Sequence, residues 1–456
     1  MPVAISLGGL DSSNGAGVTL DASIGRLLGV HFHTIPAVIV AETPDGVENV
    51  KPIPLDIFRS MLELHLHQAS AVKTALLGTR KHLETLAATL RELAPRVPLV
   101  ADPVHQAGAG GSLLTEEAEG YLEAWKQLLL PRARLVAVNA FEAEELTGIV
   151  VTDEESMLRA AKRLVEMGAW AAVVKGGHVD TGEIVIDVYF DKLGRKSRIE
   201  KPRLQPCGNR GIHGLGCIFT ATATAMLAQN KDTLEAFHAA SRAAWEAAAY
   251  AYRLPGSERC VADPARSSRL ARDLLGALEN IRRALRLVWE NWQLLEPLVP
   301  ETGMNIAEAP GDAREPGEVA AVEGRVTRGL GRPVHGCPAP GASSHMARLI
   351  LALRRHGVPV SAAVNAKPLP QLLRAAKELG MKVLPIDRSR EPNPEIEGST
   401  MEWVASLISA NGGVDMVYDL GAPGKEPMLR VLGHDALEAL EKLLEAARRA
   451  KLSSNQ

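Results

Sequence analysis

The chain has 456 residues, of which 46% are hydrophobic and 23% are charged, and its formal net charge is −3. This is an ordinary globular composition, and the length suggests about two to four domains. The balanced charge argues against nucleic acid or an anionic membrane as a partner, and no apolar run is long enough to span a bilayer. The amino terminus lacks the basic start of a signal peptide, so we expect a cytoplasmic protein.

The cysteines are few and widely spaced. They are Cys207, Cys217, Cys260 and Cys337, and none forms a CxxC pair. The spacing therefore predicts neither a disulfide framework nor a zinc site, and it fits a reducing compartment.

In the first half, short apolar runs alternate with longer amphipathic ones. This alternation predicts an α/β fold with a mostly parallel sheet, in which ligands bind at the carboxyl ends of the strands. The predicted strands are 3–7, 34–40, 99–101, 135–138 and 171–174, and the predicted helices are 17–28, 56–67, 82–93, 116–129, 155–167, 215–228 and 233–252.

A segment rich in glycine and proline at 254–266 marks a domain boundary. We expect one domain over 1–260 and a second α/β domain over 267–456, because the alternation resumes after a long amphipathic helix. The predicted helices of the second half are 267–295, 344–356, 369–379, 401–409 and 436–450, and the predicted strands are 304–307, 358–364, 383–386 and 416–418.

A glycine-rich segment, Gly214-Leu215-Gly216-Cys217, comes directly before a predicted helix. Backbone amides and the helix dipole at such a position bind an anion. A cysteine in the first turn would have its thiolate favoured, and could then deprotonate a hydroxyl group. Taken alone, the segment slightly favours a plain glycine turn with a buried cysteine.

Three further polar segments follow predicted strands. A glycine-rich loop at 8–17 precedes Asp21 by one helical turn. Asn139 and Glu142 offer oxygen atoms suited to a Mg²⁺-nucleotide. In the segment 175–178, two glycines would allow close approach of a nucleotide.

The order of these segments resembles the hydroxymethylpyrimidine and hydroxymethylpyrimidine-phosphate kinase family (ThiD) of the ribokinase superfamily, over about residues 1–260. The resemblance implies a ribokinase-like three-layer αβα domain that uses ATP and Mg²⁺. It assigns the anion hole and its catalytic cysteine to Gly214, Gly216 and Cys217. It also implies substrate contact by Asp21, nucleotide contact by Asn139, Lys175 and Gly176, and a place near Mg²⁺ for Glu142.

The chain departs from that family's pattern at two single positions and in the segment 73–77, which reads KTALL where the family usually has KIGML. Glu42 stands where the family usually has a glutamine that reads the aminopyrimidine, and Leu215 replaces a threonine in the anion hole. A carboxylate accepts hydrogen bonds but donates only when protonated. Glu42 is thus a predicted substrate-binding residue, while another small alcohol, such as a pyridoxal-like compound, or an inactive kinase scaffold stays open.

In the second half, Ser343 and Ser344 lie at a predicted helix N-cap with His345 in the first turn. Such a helix start is an anion site, and Arg325 adds a planar group suited to phosphate. Lys425 is a further candidate because it is a cation in a glycine loop, although a solvated lysine is as good an interpretation.

From about residue 267 the chain resembles the archaeal-type thiamine-phosphate synthase domain (ThiN). The matching segments are 300–306, 322–326, 341–348, 397–403 and 418–428. The resemblance implies that Arg325 and His345 act in joining hydroxymethylpyrimidine diphosphate to a thiazole phosphate, with release of pyrophosphate.

The two resemblances together predict a bifunctional enzyme of thiamine biosynthesis, since the kinase would make the diphosphate that the synthase consumes. Its expected partners are small-molecule substrates, with neither nucleic acid nor membrane, and by analogy a possible homodimer. An alternative is a kinase whose second domain senses a thiamine phosphate. The presence of Arg325 and His345, and the lack of a helix-turn-helix module, favour catalysis.

Overall fold

The computed structural model describes residues 1–105, 113–114, 120–392, 399–422 and 425–451. The chain divides into two compact units, Met1–Arg266 and Ser267–Gln456. Among the described residues, no helix combines the length and the apolar character needed to cross a membrane.

The first unit is built on a sheet with the strand order β3-β2-β1-β4-β5-β6-β7-β8-β9. The run from β2 to β7 is parallel, whereas β3, β8 and β9 pair antiparallel at the edges. The mostly parallel α/β sheet predicted from the sequence is therefore confirmed, but the interior strand β4 and the antiparallel strands β3, β8 and β9 were missed. The strands are β1 (Val3–Asp11), β2 (His31–Thr43), β3 (Gly46–Pro52), β4 (Ala71–Thr74), β5 (Leu99–Ala101), β6 (Ala133–Asn139), β7 (Ala171–Lys175), β8 (Ile184–Asp191) and β9 (Lys196–Pro202).

Helices cover both faces of this sheet, because alternate strand residues point to opposite sides. Val72 packs in the cluster that contains Trp125, while its neighbour Ala71 packs with Phe219 on the other face. The layers are thus helix, sheet and helix. The helices are α1 (Gly17–Leu27), α2 (Leu55–His65), α3 (Arg80–Leu93), α4 (Tyr121–Leu128), α5 (Ala140–Thr147), α6 (Glu154–Glu166), α7 (Leu215–Ala228) and α8 (Thr233–Ala249). The predicted helix 116–129 starts outside the described residues.

A small sheet flanks the start of α7. It contains β10 (Ile212–His213), β11 (Tyr252–Arg253) and β12 (Cys260–Val261), in the order β10-β12-β11. Here Cys207 and Cys260 form a disulfide with a Cα–Cα distance of 5.9 Å. The sequence prediction of no disulfide was wrong, because the pairing of β10 with β12 brings together cysteines that are 53 residues apart.

The second unit has a mixed sheet with the order β17-β14-β13-β18-β21-β20-β19. Its pairs are antiparallel except for β19 with β20. A two-stranded sheet of β15 and β16 lies apart from it. The strands are β13 (Ile306–Glu308), β14 (Ala320–Val322), β15 (Thr327–Arg328), β16 (Pro333–Val334), β17 (Pro338–Pro340), β18 (Ala362–Ala366), β19 (Val383–Ile386), β20 (Met416–Asp419) and β21 (Met428–Gly433).

Helices also cover both faces of the second sheet. Val431 packs in the cluster that includes Leu440, whereas Leu432 packs in the cluster that includes Ile350 and Val404. The predicted second α/β domain is confirmed in its layered form. The helices are α9 (Arg266–Glu290), α10 (Trp292–Leu295), α11 (Ser344–Arg355), α12 (Pro370–Glu378), α13 (Ser399–Ala410) and α14 (Ala436–Arg449).

Candidate active sites

The carboxyl ends of the parallel strands gather polar groups at one edge of the first sheet. Asp11 ends β1, Asn139 ends β6 and Lys175 ends β7, while Asp102 directly follows β5. Parallel strands place these ends side by side, which is where α/β folds bind ligands. The sequence predicted Asn139 and Lys175 here but did not single out Asp11 or Asp102.

The segment 214–217 forms the amino terminus of α7, a helix of 14 residues. Gly214 is its N-cap with φ of 95°, and a Cβ added there would lie 2.1 Å from the Gly15 carbonyl oxygen. The glycine loop after β1 therefore touches the start of α7. As a glycine, the N-cap has no side chain to occupy the first amides of the helix, so they remain available to an anion.

Lys175 lies beside this helix start. A Cβ added to Gly216 would be 3.8 Å from Lys175 Nζ, and that nitrogen is 3.9 Å from Asp102 Oδ1. The ammonium group and the helix amides thus face the same place. An anion there would meet both a full positive charge and the helix dipole.

Two buried carboxyl groups surround Lys175. Burial raises the pKa of Glu142 to about 7 against the attraction of Lys175, and it also raises the pKa of Asp102. Asp102 Oδ1 is buried and has no hydrogen-bond partner within the described part of the chain. An unpartnered carboxylate oxygen beside a second carboxylate is a donor set that fits Mg²⁺.

Asn139 and Glu142 also have a structural role. The Asn139 side chain accepts from the Glu142 amide at 2.9 Å, and Glu142 Oε2 accepts from the Asn139 amide at 2.7 Å. This capping box starts α5 and uses one oxygen of each side chain. The nucleotide role of Asn139 and the metal role of Glu142 stay predictions.

Cys217 differs from the sequence expectation. Burial raises the pKa of its thiol to about 11, although Lys73 and a hydrogen bond with the Gly17 backbone oppose the rise. The expected thiolate was wrong for the protein without substrate, because loss of hydration outweighs the nearby positive charge and the helix start.

Asp21 is placed beneath the site and is only 1% exposed. Its carboxylate pairs with the buried Lys73 Nζ at 2.6 and 2.7 Å and accepts from Ser6 Oγ at 2.5 Å. Because Lys73 also acts on Cys217, this pair lies within electrostatic reach of the helix start. Direct substrate contact by Asp21 remains a prediction.

Glu42 belongs to a cluster with Asp11 and His213, whose ligand atoms lie within 4.8 Å of one another. Burial and then the Asp11 charge raise the pKa of Glu42 to about 7. His213 Nε2 lies 2.9 Å from Asp11 Oδ2, and Ala16 donates its amide to the same oxygen at 2.7 Å. The sequence alone indicated no role for Asp11 or His213, although Asp11 lies within the glycine-rich loop 8–17 and His213 directly precedes Gly214.

Gly176, directly after β7, packs closely against strand β8. A Cβ there would lie 1.9 Å from the Ile186 carbonyl oxygen, and its amide donates to Asp187 Oδ1 at 3.0 Å. A cleft of about 490 Å³ opens beside this turn, lined in part by His178 and Arg203. Arg203 donates to carbonyl groups of this turn, which fixes the cleft wall.

In the second unit, Ser343 is the N-cap of α11 and its Oγ accepts from the Met346 amide at 3.5 Å. Ser344 and His345 follow in the first turn and are exposed. The amino terminus of this helix of 12 residues is therefore open to a ligand, as the sequence predicted for an anion site.

His345 lies among arginines. Although His345 keeps exposed surface, the protein around its ring removes part of its hydration. This desolvation, and then repulsion by four guanidinium groups, lower the pKa of His345 to about 4. The imidazole is neutral at pH 7, so the positive charge at this site comes from the arginines. In order of effect they are Arg430, Arg388, Arg325 and Arg348.

Arg325 occupies a left-handed turn with φ of 63°, which is unusual for a residue with a side chain. Its side chain packs over Gly303 and donates to the Thr302 carbonyl oxygen. Glu426 accepts from the Thr302 amide at 3.2 Å and from the Glu301 amide at 2.7 Å, so it fixes the loop whose carbonyl group holds the Arg325 side chain.

The Nζ atom of Lys425 lies 3.9 Å from Glu391 Oε2, and the Lys425 side chain is 42% exposed. Glu391 also pairs with Arg388, which is one of the arginines around His345, so Lys425 lies close to that group. The residues 397 and 398 of one predicted segment lie outside the described residues.

Comparison with known proteins follows the division of the chain. Residues 11–261, more than half of the chain, match the family model described as phosphomethylpyrimidine kinase. The chain belongs to the phosphomethylpyrimidine kinase family. In its second half, residues 280–445 match the model described as thiamine-phosphate synthase ThiN. Both family resemblances drawn from the sequence are confirmed.

Individual relatives agree with these matches. The bifunctional thiamine biosynthesis protein ThiDN of Methanocaldococcus jannaschii is 26% identical over 448 residues, which covers 97% of each chain. The hydroxymethylpyrimidine/phosphomethylpyrimidine kinase of Bacillus subtilis is 31% identical over 246 residues, or 54% of this chain and 88% of that one.

Among solved structures, the pyridoxal kinase of Staphylococcus aureus in complex with AMP-PCP and pyridoxal is similar to the kinase unit. Its TM-score is 0.53 and its sequence identity is 27%, over 59% of this chain and 95% of that one. This similarity confirms the kinase fold that the sequence predicted for the first half.

Proposed function

We propose that the kinase unit transfers the terminal phosphoryl group of ATP to hydroxymethylpyrimidine and then to its monophosphate. The ThiN unit joins the resulting diphosphate to a thiazole phosphate and releases pyrophosphate. The observation that carries this proposal is that each unit has a helix, α7 or α11, whose open amino terminus lies beside cationic side chains. The two units match families of enzymes that catalyse consecutive steps.

In the kinase unit, the amides at the start of α7 and the ammonium group of Lys175 stabilise the phosphoryl group in transfer. A loose phosphoryl-transfer transition state needs little help from a base. The neutral thiol of Cys217 is therefore compatible with catalysis as a hydrogen-bond donor. The hydroxyl proton passes to a phosphate oxygen or to water as the new P–O bond forms.

Asp102 and Glu142 are the residues that would hold Mg²⁺, because they present the buried carboxylate oxygens beside Lys175. When bound, Mg²⁺ supplies positive charge that offsets the charge of the ATP phosphates.

In the ThiN unit, the bond between the pyrimidine methylene and the diphosphate oxygen breaks, and the bonding electrons leave with the diphosphate. The thiazole nitrogen donates its lone pair to the methylene, so no proton is transferred. The arginines around His345 would stabilise the charge that develops on the leaving diphosphate, and the neutral His345 can donate or accept a hydrogen bond beside them.

Mass spectrometry of the intact protein tests this function, with ATP, Mg²⁺, hydroxymethylpyrimidine and the thiazole phosphate supplied. We expect thiamine phosphate from the unaltered protein. Lys175→Met should leave the pyrimidine unphosphorylated, and Arg325→Ala should accumulate the diphosphate. The exposed Lys162 and Arg332 provide the controls Lys162→Met and Arg332→Ala. An unaltered protein that leaves the pyrimidine unphosphorylated would contradict the kinase assignment.

A second candidate concerns the alcohol that the kinase unit accepts. Its similarity to a pyridoxal kinase, together with Glu42, favours testing a pyridoxal-like compound. Competition between hydroxymethylpyrimidine and pyridoxal at equal concentrations, read as the ratio of the two phosphorylated products, decides between them. A ratio dominated by pyridoxal phosphate would replace the first substrate by the second.

A further inference from the structure

Arg430 lies on the central strand β21 of the ThiN unit and is only 2% exposed. Its strand neighbour Leu432 packs against α11 and α13, so Arg430 points to that same face. In the adjacent strand β18, Asn365 lies directly opposite it. On this face of the sheet, the apolar residues under α11 are thus followed, two residues along the strands, by the polar pair Arg430 and Asn365.

A second arginine, Arg388, lies beside this polar pair and is largely buried. Arg388 and Arg430 share the carboxylate of Asp419, with Nη1–Oδ2 distances of 3.5 and 3.1 Å respectively. Arg388 Nη2 also lies 3.4 Å from Glu391 Oε2. One carboxylate oxygen therefore joins two guanidinium groups.

Each of these arginines retains an unused donor. The Nε atoms of Arg388 and Arg430 are buried and have no hydrogen-bond partner among the residues that the structure describes. An unsatisfied buried donor costs free energy, and for a charged group the cost is higher. Two such donors in one cluster could both be satisfied by an acceptor that the described residues do not supply.

The charges of the cluster point to an anion. Three cations, from Arg388, Arg430 and Lys425, meet the two carboxylates of Asp419 and Glu391, which leaves one positive charge in excess within this group. The guanidinium group of Arg325 adds to the positive potential nearby, since it also acts on His345. An ion network that only supported the fold would pair its buried charges. The open amino terminus of α11 adds further positive potential.

We propose that Arg388 and Arg430 form the floor of a diphosphate subsite, with their free Nε donors directed at the diphosphate oxygens. This inference rests on the proposed synthase function and names residues that the sequence analysis did not single out. Planar guanidinium groups suit phosphate oxygens, and they would stabilise the charge that grows on the diphosphate as its bond to the methylene breaks.

Direct binding of inorganic pyrophosphate to the full chain tests the subsite without turnover. Isothermal titration calorimetry should give a dissociation constant about tenfold or more weaker for Arg388→Gln and for Arg430→Gln. The control is Arg355→Gln at the far end of α11, where the side chain is exposed and paired with Glu402. It should bind as the unaltered protein does.

Steady-state kinetics gives the second readout. In Arg388→Lys, which keeps the charge but loses the planar group, we expect a higher KM for the pyrimidine diphosphate and weaker inhibition by pyrophosphate. The KM for the thiazole phosphate should change by less than about twofold. This variant also covers the case in which Arg430→Gln fails to fold, because Arg388 lies after β19 rather than in a central strand.

The outcomes separate this inference from the proposed function. Pyrophosphate affinity that falls in both glutamine variants of a folded protein supports the subsite, even if the unaltered protein forms no thiamine phosphate. If thiamine phosphate forms and folded Arg388→Gln and Arg388→Lys bind pyrophosphate as tightly as the unaltered protein, the subsite is overturned and the synthase function stands.

Discussion

Glu42 shows how one side chain links substrate choice to pH. With a pKa raised to about 7 by burial and by Asp11, its carboxyl group is protonated below that pH and can donate a hydrogen bond. The donor is lost as the pH rises through 7. We expect the KM of the kinase for its alcohol substrate to rise between pH 6 and about pH 8.5.

Glu42→Gln provides the check, because an amide keeps a donor at every pH. The KM of this variant should vary less than about twofold over the same range, whereas the exposed Glu48→Gln should behave as the unaltered protein. An unchanged pH profile in Glu42→Gln would assign the titration to another group of the site.

At this scale the sequence predicted the residues of the glycine motifs and little of what surrounds them. Lys175, Cys217 and His345 were found because each lies next to a glycine or a helix start. Lys73, Arg388 and Arg430 were missed, because their importance comes from burial and from neighbours distant in the chain. For the same reason the direction predicted for the pKa of Cys217 was wrong.

At the start of α7, the backbone conformation of Gly214 sets the position of the amides that would bind the transferred phosphoryl group. Gly214→Ala places a methyl group against the Gly15 carbonyl oxygen and strains a positive φ. Gly29→Ala has the matched strain, with φ of 71°, but meets nothing within 4 Å among the described residues. The positive φ alone costs about 1–2 kcal/mol in each variant.

We therefore expect Gly214→Ala to lose kinase activity by about 100-fold or more, since the amides that stabilise the transferred group would move. Gly29→Ala should keep that activity, with a small decrease in thermal stability. Synthase activity from supplied diphosphate should be unchanged in both. Equal kinase activity in the two variants would show that the helix start does not bind the transferred group.

The disulfide between Cys207 and Cys260 links the segment before α7 to strand β12. Closing a loop of this length stabilises a fold by about 2–4 kcal/mol, mainly through the unfolded state. A reductant should therefore lower the Tm of the kinase unit, measured by calorimetry. Cys207→Ser should have the lower Tm in either condition, whereas the exposed Cys337→Ser should still respond to the reductant. A Tm that the reductant leaves unchanged would contradict this role.

Several elements were predictable because their apolar residues repeat with the period of a helix or form a short continuous run. The helices α7 and α11 and the strand β19 begin at the expected residues. The edge strands β3 and β9 were missed because exposed residues interrupt their apolar pattern, and their neighbour β8 because the buried Asp187 interrupts its own. The antiparallel pairing in the ThiN unit has no comparable signal in the sequence, since strand order depends on contacts between distant segments.

For the whole molecule, the two units have separate cores and separate candidate sites. Each site should then work without the other. A mixture of Lys175→Met and Arg325→Ala proteins should form thiamine phosphate, because one supplies diphosphate and the other consumes it. Neither variant should do so alone. The initial rate should show a lag that shortens as the protein concentration rises, since the diphosphate must accumulate in solution. A mixture without product, from variants that each retain their unaltered activity, would mean that the diphosphate does not pass between molecules.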